Sequence, residues 1–387
     1  MKQAARSHLR LSEIDYSPDV QVRIRPSGTT FVADCFVGQD FTSVPIELTL
    51  DDAGALAKGM HDAIDKAKDN FADKGDVAAL KMELHDLAEA GYTAFLNIFK
   101  PQLSAQFLKL LRKSEMERKK LLIQITAKEF SVPWDLIYPR PLDDKPSYEE
   151  FWGMRHIVCR NVEPNFRDGA APGHVIPTNK PIVGLLTDLT LEAVEDYELP
   201  FFHQEQRDEH IRLYHLKREL DADRWQEEFA AVRKFLNRSY HILHLACHAD
   251  CGEDGLCTFK ITRNFEVGLK TLEAYNCWVQ GNPVVFLNAC RTSNLAPKYL
   301  LNFARYFLES GARGVIATEC EVPDGAFAAE FAKRVYKSFL NGEPLGQSLL
   351  AARQYFLERA NPLGLMYSLY GPPSVRLERS DHCEQIR

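Results

Sequence analysis

The run Val284-Val285-Phe286-Leu287-Asn288-Ala289 ends in Cys290 and then in a turn of small and polar residues, Arg291-Thr292-Ser293. A short, unbroken apolar run led by two β-branched valines predicts a strand buried on both faces of a parallel sheet. Such a sheet needs helices on both faces, which confines the fold to the α/β class. In open α/β sheets the chemistry sits just past the carboxyl ends of the strands. Cys290 therefore stands where a side chain can leave the core and meet a ligand. A second run, Tyr240-His241-Ile242-Leu243-His244-Leu245-Ala246, has the same shape and ends in Cys247-His248-Ala249. If the two runs are parallel neighbours, His248 and Cys290 emerge at one edge of the sheet.

The local signature of caspases is Gln-Ala-Cys-(Arg/Gln/Gly)-Gly, with a histidine about 50 residues upstream. Here the residues are Asn288-Ala289-Cys290-Arg291-Thr292, and His248 lies 42 residues before Cys290. That separation leaves room for one crossover unit. A cysteine peptidase needs a thiolate, a base for the thiol proton and amide donors for the oxyanion. Cys290 and His248 supply the first two, and the backbone N–H groups of Cys290 and Ala249 are candidate oxyanion donors. A cysteine alone reads more readily as a small buried hydrophobe. A Cys–His pair on two strand ends reverses that reading. His244, four residues before His248 and deeper in the same strand, is expected to be a core histidine bonded to backbone, with a supporting role near the base as the alternative.

A metal site is the rival chemistry. His244, Cys247, His248, Cys251 and Cys257 are dense in metal-ligand types. They lack the second short-spaced pair of a zinc site, and Cys247 points opposite to His248 if the strand alternates. No metal and no cofactor are expected. Acidic side chains follow several strand ends: Asp188, Asp250, Glu319, Glu321 and Asp324. They are candidates for a pocket that receives a basic substrate side chain. Singly, each also reads as a solvated loop residue, and Asp324 as a helix cap.

The 387 residues suffice for two ordinary domains, and 45% hydrophobic with 26% charged residues is a globular composition. A net charge of −7 gives no footprint for direct nucleic-acid binding. No apolar run approaches the roughly 18 residues of a membrane span, and the N-terminus lacks the apolar core of a signal peptide. Nine scattered cysteines, several inside apolar runs, fit a reducing cytoplasm better than a disulfide framework.

Along the chain, residues 20–36 predict a β-hairpin turning at Pro26-Ser27-Gly28-Thr29, and residues 45–50 a further strand. Helices are expected over 55–68, 76–98 and 103–111, and strands over 121–125 and 155–162. Val132-Pro133-Trp134-Asp135-Leu136-Ile137 reads as a helix start with a large buried anchor. Residues 163–180, rich in Pro and Gly, form the expected linker. An α+β accessory subdomain would occupy 1–175 and the α/β unit 176–387. After the linker, strands at 181–186, 211–216, 240–246, 284–289 and 314–318 alternate with helices. A small hairpin is expected near 259–269 and a last strand over 374–377. Residues 187–210 read as a polar, acidic segment of undefined structure.

Several motifs in order resemble the CHAT domain, a caspase-like peptidase module of clan CD related to separase. His244-Leu245-Ala246-Cys247-His248-Ala249 resembles its catalytic histidine motif and Leu287-Asn288-Ala289-Cys290-Arg291-Thr292 its nucleophile motif. The stretch from Gly311 to Ala317 with Val322-Pro323-Asp324, and Leu369-Tyr370-Gly371-Pro372-Pro373-Ser374-Val375, resemble the elements that follow. The segments 132–137 and 152–160 resemble the stretch that commonly precedes the core. Three departures stand out: Ala249 in place of Gly, Glu319-Cys320-Glu321 in place of an apolar–Trp pair, and Pro372-Pro373 in place of Asp-Pro. The resemblance implies a caspase-like α/β/α sandwich with a mostly parallel sheet. Its first 175 residues would then be an accessory or pseudo-caspase subdomain. It further implies a cytoplasmic bacterial cysteine endopeptidase with a His248/Cys290 dyad. Its protein substrate would be a specific partner in a defence or regulated cell-death module, such as a gasdermin-like or CRISPR-associated protein. A regulatory partner chain or self-cleavage would provide control. The alternative is a CHAT-fold scaffold or peptide-binding module without productive turnover.

Overall fold

The structure, a computed structural model, describes residues 17–38, 40–74, 77–127, 130–142, 145–162, 171–188, 191–192, 194–216, 222–251, 257–262, 264–288, 303–319, 322, 325–359 and 361–379. The chain begins with β1 (Val20–Ser27), β2 (Thr30–Val37) and β3 (Asp40–Ile46), an antiparallel meander. Its first turn carries Gly28 at φ +65°, a left-handed conformation that glycine adopts without steric cost. Helices α1 (Leu50–Lys74), α2 (Val77–Ile98) and α3 (Pro101–Met116) follow. Thr49 and Asp52 bond reciprocally at the start of α1, the Thr49 N–H to Asp52 Oδ2 at 3.0 Å and the Asp52 N–H to Thr49 Oγ1 at 3.2 Å. Pro101 opens α3, where its missing N–H is not needed. Next come β4 (Leu122–Ala127), α4 (Trp152–Arg155) and β5 (Ile157–Asn161). The anchor Trp134 is buried as expected, but it begins only a single 3-10 turn.

Beyond residue 171 lie β6 (Val175–Pro177), β7 (Ile182–Thr187), α5 (Leu199–Arg207), β8 (Arg212–Leu216), α6 (Trp225–Leu236) and β9 (Ile242–Ala246). They are followed by β10 (His248–Cys251), β11 (Cys257–Thr262), β12 (Phe265–Gly268), α7 (Leu269–Ala274), β13 (Val284–Leu287) and α8 (Phe303–Glu309). The chain continues with β14 (Gly314–Thr318), α9 (Gly325–Leu340), α10 (Leu345–Leu357), β15 (Tyr367–Tyr370) and β16 (Arg376–Glu378). The expected alternation is present, and the acidic segment 187–210 contains α5.

One sheet of eleven strands runs β3-β2-β1-β4-β5-β15-β14-β13-β9-β7-β8. The strands β8, β7, β9, β13 and β14 are parallel. β15 is antiparallel to β14 and parallel to β5, so β5, β4 and β1 run against the first group. The sheet therefore passes through the boundary expected near residue 175. The strands that precede the linker extend the sheet of the later strands.

The central strands bury both faces. Ile242 and Ala246 of β9, with Val284 and Phe286 of β13, join one apolar cluster with α5, α9 and α10. Leu243, Leu245, Val285 and Leu287 join another with α6, α8 and the small β10-β11-β12 sheet. Gly184 in β7 admits the Tyr240 ring, since a Cβ there would sit 2.7 Å from it. Of the cysteines, Cys35, Cys159, Cys247 and Cys277 are buried and free, whereas Cys257 is disulfide-bonded. That bond departs from the expectation of free thiols throughout.

Arg353 of α10 is 1% exposed and fastens the seam between the two strand groups. Its guanidinium donates to the carbonyls of Gly364 (3.1 Å), Gly153 (2.9 Å) and Tyr367, and pairs with Asp135 Oδ1 at 2.8 Å. Replacing one member of a buried pair leaves the other charge uncompensated. Arg353→Ala is expected to lower unfolding free energy by roughly 3–5 kcal/mol, read as a shift of the urea midpoint. An unshifted midpoint would show that the seam does not depend on this side chain.

Candidate active site

The two runs singled out in the sequence are adjacent parallel strands. Val284 faces Ile242 and Leu287 faces Leu245, so partners in the ladder are 42 residues apart. His248 and Cys290 have the same separation. The Asn288 N–H continues the ladder onto the Leu245 carbonyl at 2.8 Å. Cys290 itself lies outside the described residues, as do Glu321 and Asp324.

At Cys247 the chain leaves the main sheet and enters β10, which pairs with β11. Cys247 and Ala249 point into the apolar cluster beneath, and His248 between them is exposed. Alternation thus turns the imidazole outward at the carboxyl edge of β9. Ala249 lies opposite Phe259 in regular strand pairing and has no positive φ. Its Cβ is therefore accommodated without backbone strain. Asp250 stands in β10 opposite Thr258.

The remaining acidic candidates are placed differently from one another. Asp188 follows β7 and is buried, its N–H donating to the Ala246 carbonyl at 2.8 Å. Glu319 follows β14 and is 3% exposed rather than open to a substrate. Its Oε1 lies 2.5 Å from Arg160 and 2.7 Å from the Ser368 hydroxyl, and its Oε2 lies 3.4 Å from His61. Arg160 also donates to the Tyr370 hydroxyl at 2.8 Å, and Ser368 reaches Asp135 at 2.7 Å. Glu319 and Asp135 together balance Arg160 and Arg353 inside the seam. An acid after a strand end suggested solvent, and the buried Arg that pairs with it came from a distant strand.

The largest departure concerns His244. It is buried, packed by Phe202, Phe286 and Tyr336, and bonded to side chains rather than backbone. Nδ1 lies 2.9 Å from the Tyr336 hydroxyl and Nε2 lies 2.8 Å from Glu198 Oε2. The other oxygen of Glu198 accepts from the Asn288 side-chain amide, whose carbonyl oxygen accepts from Tyr367 at 2.7 Å. Glu198 was not foreseen. It closes a single π-helical turn, Val194–Glu198, and shares the buried side of that turn with Val194 before Leu199 and Phe202 continue it. A carboxylate on an otherwise apolar stripe was the available signal.

Comparison with known proteins agrees with this architecture. Residues 183–371 match the CHAT domain family. The chain carries a CHAT domain. It is also 28% identical, over 238 residues, to a probable protease of Vitiosangium sp. (strain GDMCC 1.1324), an alignment covering 59% of this chain and 30% of that protein. The chain thus spans less than a third of the length of this relative. Among solved structures it resembles a chain of the Saccharomyces cerevisiae separase–securin complex, with a TM-score of 0.50 and 11% identity. That match covers 93% of this chain and 30% of the other. At that identity the likeness concerns the fold, which is the caspase-like α/β/α arrangement expected of a CHAT domain. Among the described residues no helix is long and apolar enough to cross a membrane.

The Glu319 contacts carry a pH signature. Burial pushes its carboxyl up, but Arg160, then His61 and Ser368, outweigh burial and hold it below the ordinary carboxylate value. A group depressed in the folded state contributes stability above its unfolded value of 4.5, and that stability is lost as pH falls through the folded value. Glu319→Gln is therefore expected to be less stable than the parent at pH 7 by roughly 3 kcal/mol. The gap should narrow below about pH 4.5, as measured by thermal melts across pH. A gap independent of pH would show that the carboxylate charge contributes nothing.

Proposed function

We propose that this chain is a cysteine endopeptidase whose dyad is His248 and Cys290. The observation that carries the proposal is the register of β9 and β13. Neighbouring strands pair at a 42-residue offset, which is the separation of an exposed histidine and a cysteine just past their carboxyl ends. The CHAT match and the probable protease among its relatives support the same reaction class.

In this reading His248 takes the thiol proton of Cys290, and the thiolate attacks a peptide carbonyl. The backbone N–H groups of Cys290 and Ala249 hold the oxyanion. The tetrahedral adduct collapses with the C–N bond breaking, and the imidazolium gives its proton to the leaving amine. Water, deprotonated by His248, then hydrolyses the thioester and restores the thiol. No redox step and no cofactor enter.

Of the acidic candidates, Asp250, Glu321 and Asp324 are the proposed contacts to a basic substrate side chain. Buried Glu319 is assigned to the seam and Asp188 to the strand end. The proposed substrate is a specific partner protein, in a bacterial defence or regulated cell-death module as the CHAT resemblance implies.

Cleavage profiling of the parent against Cys290→Ala, on a peptide library and candidate partner proteins, tests the reading. The expected loss in kcat/KM is on the order of 10⁴-fold or more, with selective alkylation of Cys290 in the parent near neutral pH. Cleavage retained by Cys290→Ala would end the proposal. A parent that binds a partner without cutting it, and whose Cys290 resists alkylation, would be a scaffold.

A further inference from the structure

The chain Tyr336–His244–Glu198–Asn288–Tyr367 crosses the sheet directly beneath the proposed dyad. Asn288 is two residues before Cys290, and His244 is four residues before His248. Glu198 touches both, through separate oxygens. All five residues are buried. They come from four parts of the fold besides β9: the π-helical turn before α5, the end of β13, α9 and β15.

The contacts are all satisfied when Glu198 accepts and Tyr336 donates. A carboxylate only accepts, so the Nε2–H of His244 and the side-chain N–H of Asn288 both donate to Glu198. Nδ1 of His244 is then an acceptor, and Tyr336 donates to it. Burial, with Glu198 adding to it, pushes the Tyr336 phenol well up, so it keeps that proton. The carbonyl oxygen of Asn288 accepts from Tyr367. Each side chain of this buried chain is thus held by at least one partner.

We propose that Glu198 is a positioning residue for the nucleophile: it clamps the Asn288 side chain, and so the strand end that delivers Cys290, to the histidine strand that delivers the base. This rests on reading Cys290 as the nucleophile. Backbone pairing alone fixes the two strands as far as the bond from the Asn288 N–H to Leu245. Beyond that bond, the contacts that hold the end of the strand are those of the Asn288 side chain to Glu198 and Tyr367. Misplacing a reacting group by about 1 Å costs on the order of 10²-fold in rate. Glu198 therefore acts on kcat, not on substrate affinity.

The test compares Glu198→Ala, Glu198→Gln and Tyr367→Phe with Leu103→Ala, a buried change in α3 that destabilises the fold without touching this chain. Three quantities are read: kcat and KM, the alkylation rate of Cys290, and amide hydrogen exchange of the peptide containing residues 288–293. Glu198→Ala is expected to lower kcat and the alkylation rate by about 10²-fold, with KM within about twofold of the parent. Glu198→Gln should recover part of this loss, because the amide oxygen still accepts from one neighbour and His244 can change tautomer to meet the amide N–H. Combined with Tyr367→Phe, Glu198→Ala should cost less than the two single effects added, since both hold one Asn288 side chain. Exchange of the 288–293 peptide should quicken in the Glu198 variants and not in Leu103→Ala. A parent kcat in Glu198→Ala, or a loss no greater than that of Leu103→Ala, would overturn the inference. If the parent itself cuts nothing, the peptidase reading fails, and exchange alone decides this one: unchanged exchange at 288–293 in Glu198→Ala overturns it.

Discussion

Parallel strands that bury both faces leave no water for any polar side chain they carry, and the rest of this structure follows from that restriction. A polar group in such a place must meet a partner inside the protein or destabilise it by kilocalories. Each buried polar side chain of the central strands accordingly recruits partners from other elements. His244 of β9 draws Glu198 from the turn before α5 and Tyr336 from α9. Ser368 of β15 draws Asp135 and Glu319, and those two draw Arg353 and Arg160. The polar contacts are thus what couple helices and strands that apolar packing would let slide.

Two such groupings divide the labour. The seam quartet balances two guanidinium groups against two carboxylates and joins β5, β14, β15 and α10. It explains how the strands before residue 162 become part of the same sheet as the CHAT domain. The chain under β9 and β13 contains a carboxylate but no Lys or Arg. Tyr367 and Ser368 are consecutive residues of β15, and they feed the two groupings on opposite faces of the sheet. The strand at which the sheet changes direction, β15, is in this way common to both.

Much of this was legible before any coordinates. The strands β9, β13 and β14 showed as apolar runs of the right length, alternating with helices. Their common shape raised the pairing of β9 with β13 only as a condition, and the ladder supplies it. β15 was not read as a strand because Tyr367-Ser368-Leu369-Tyr370 is too short and too polar to announce a buried strand. Glu198 and Glu319 were hidden for a related reason. Local pattern reports whether a residue resembles its neighbours in sequence, whereas a buried acid is decided by partners 46 and 159 positions away, His244 and Arg160. The same limit applies to the expected linker: residues 163–170 lie outside the described residues, β6 falls within its second half, and the sheet continues on both sides of it through β5 and β15.

The spacing between the histidine and cysteine motifs has a meaning of its own. It equals the ladder offset because both strands run to the same edge, and everything between them is an excursion: the β10-β11-β12 sheet, α7 and the return to β13. An excursion can lengthen or shrink by whole hairpins while the two strands keep their places. Distance along the chain is therefore a property of the detour and not of the destination. Searches that demand a fixed gap between two motifs would discard proteins that share this geometry, and searches that ask only for two buried strands ending in these side chains would find them.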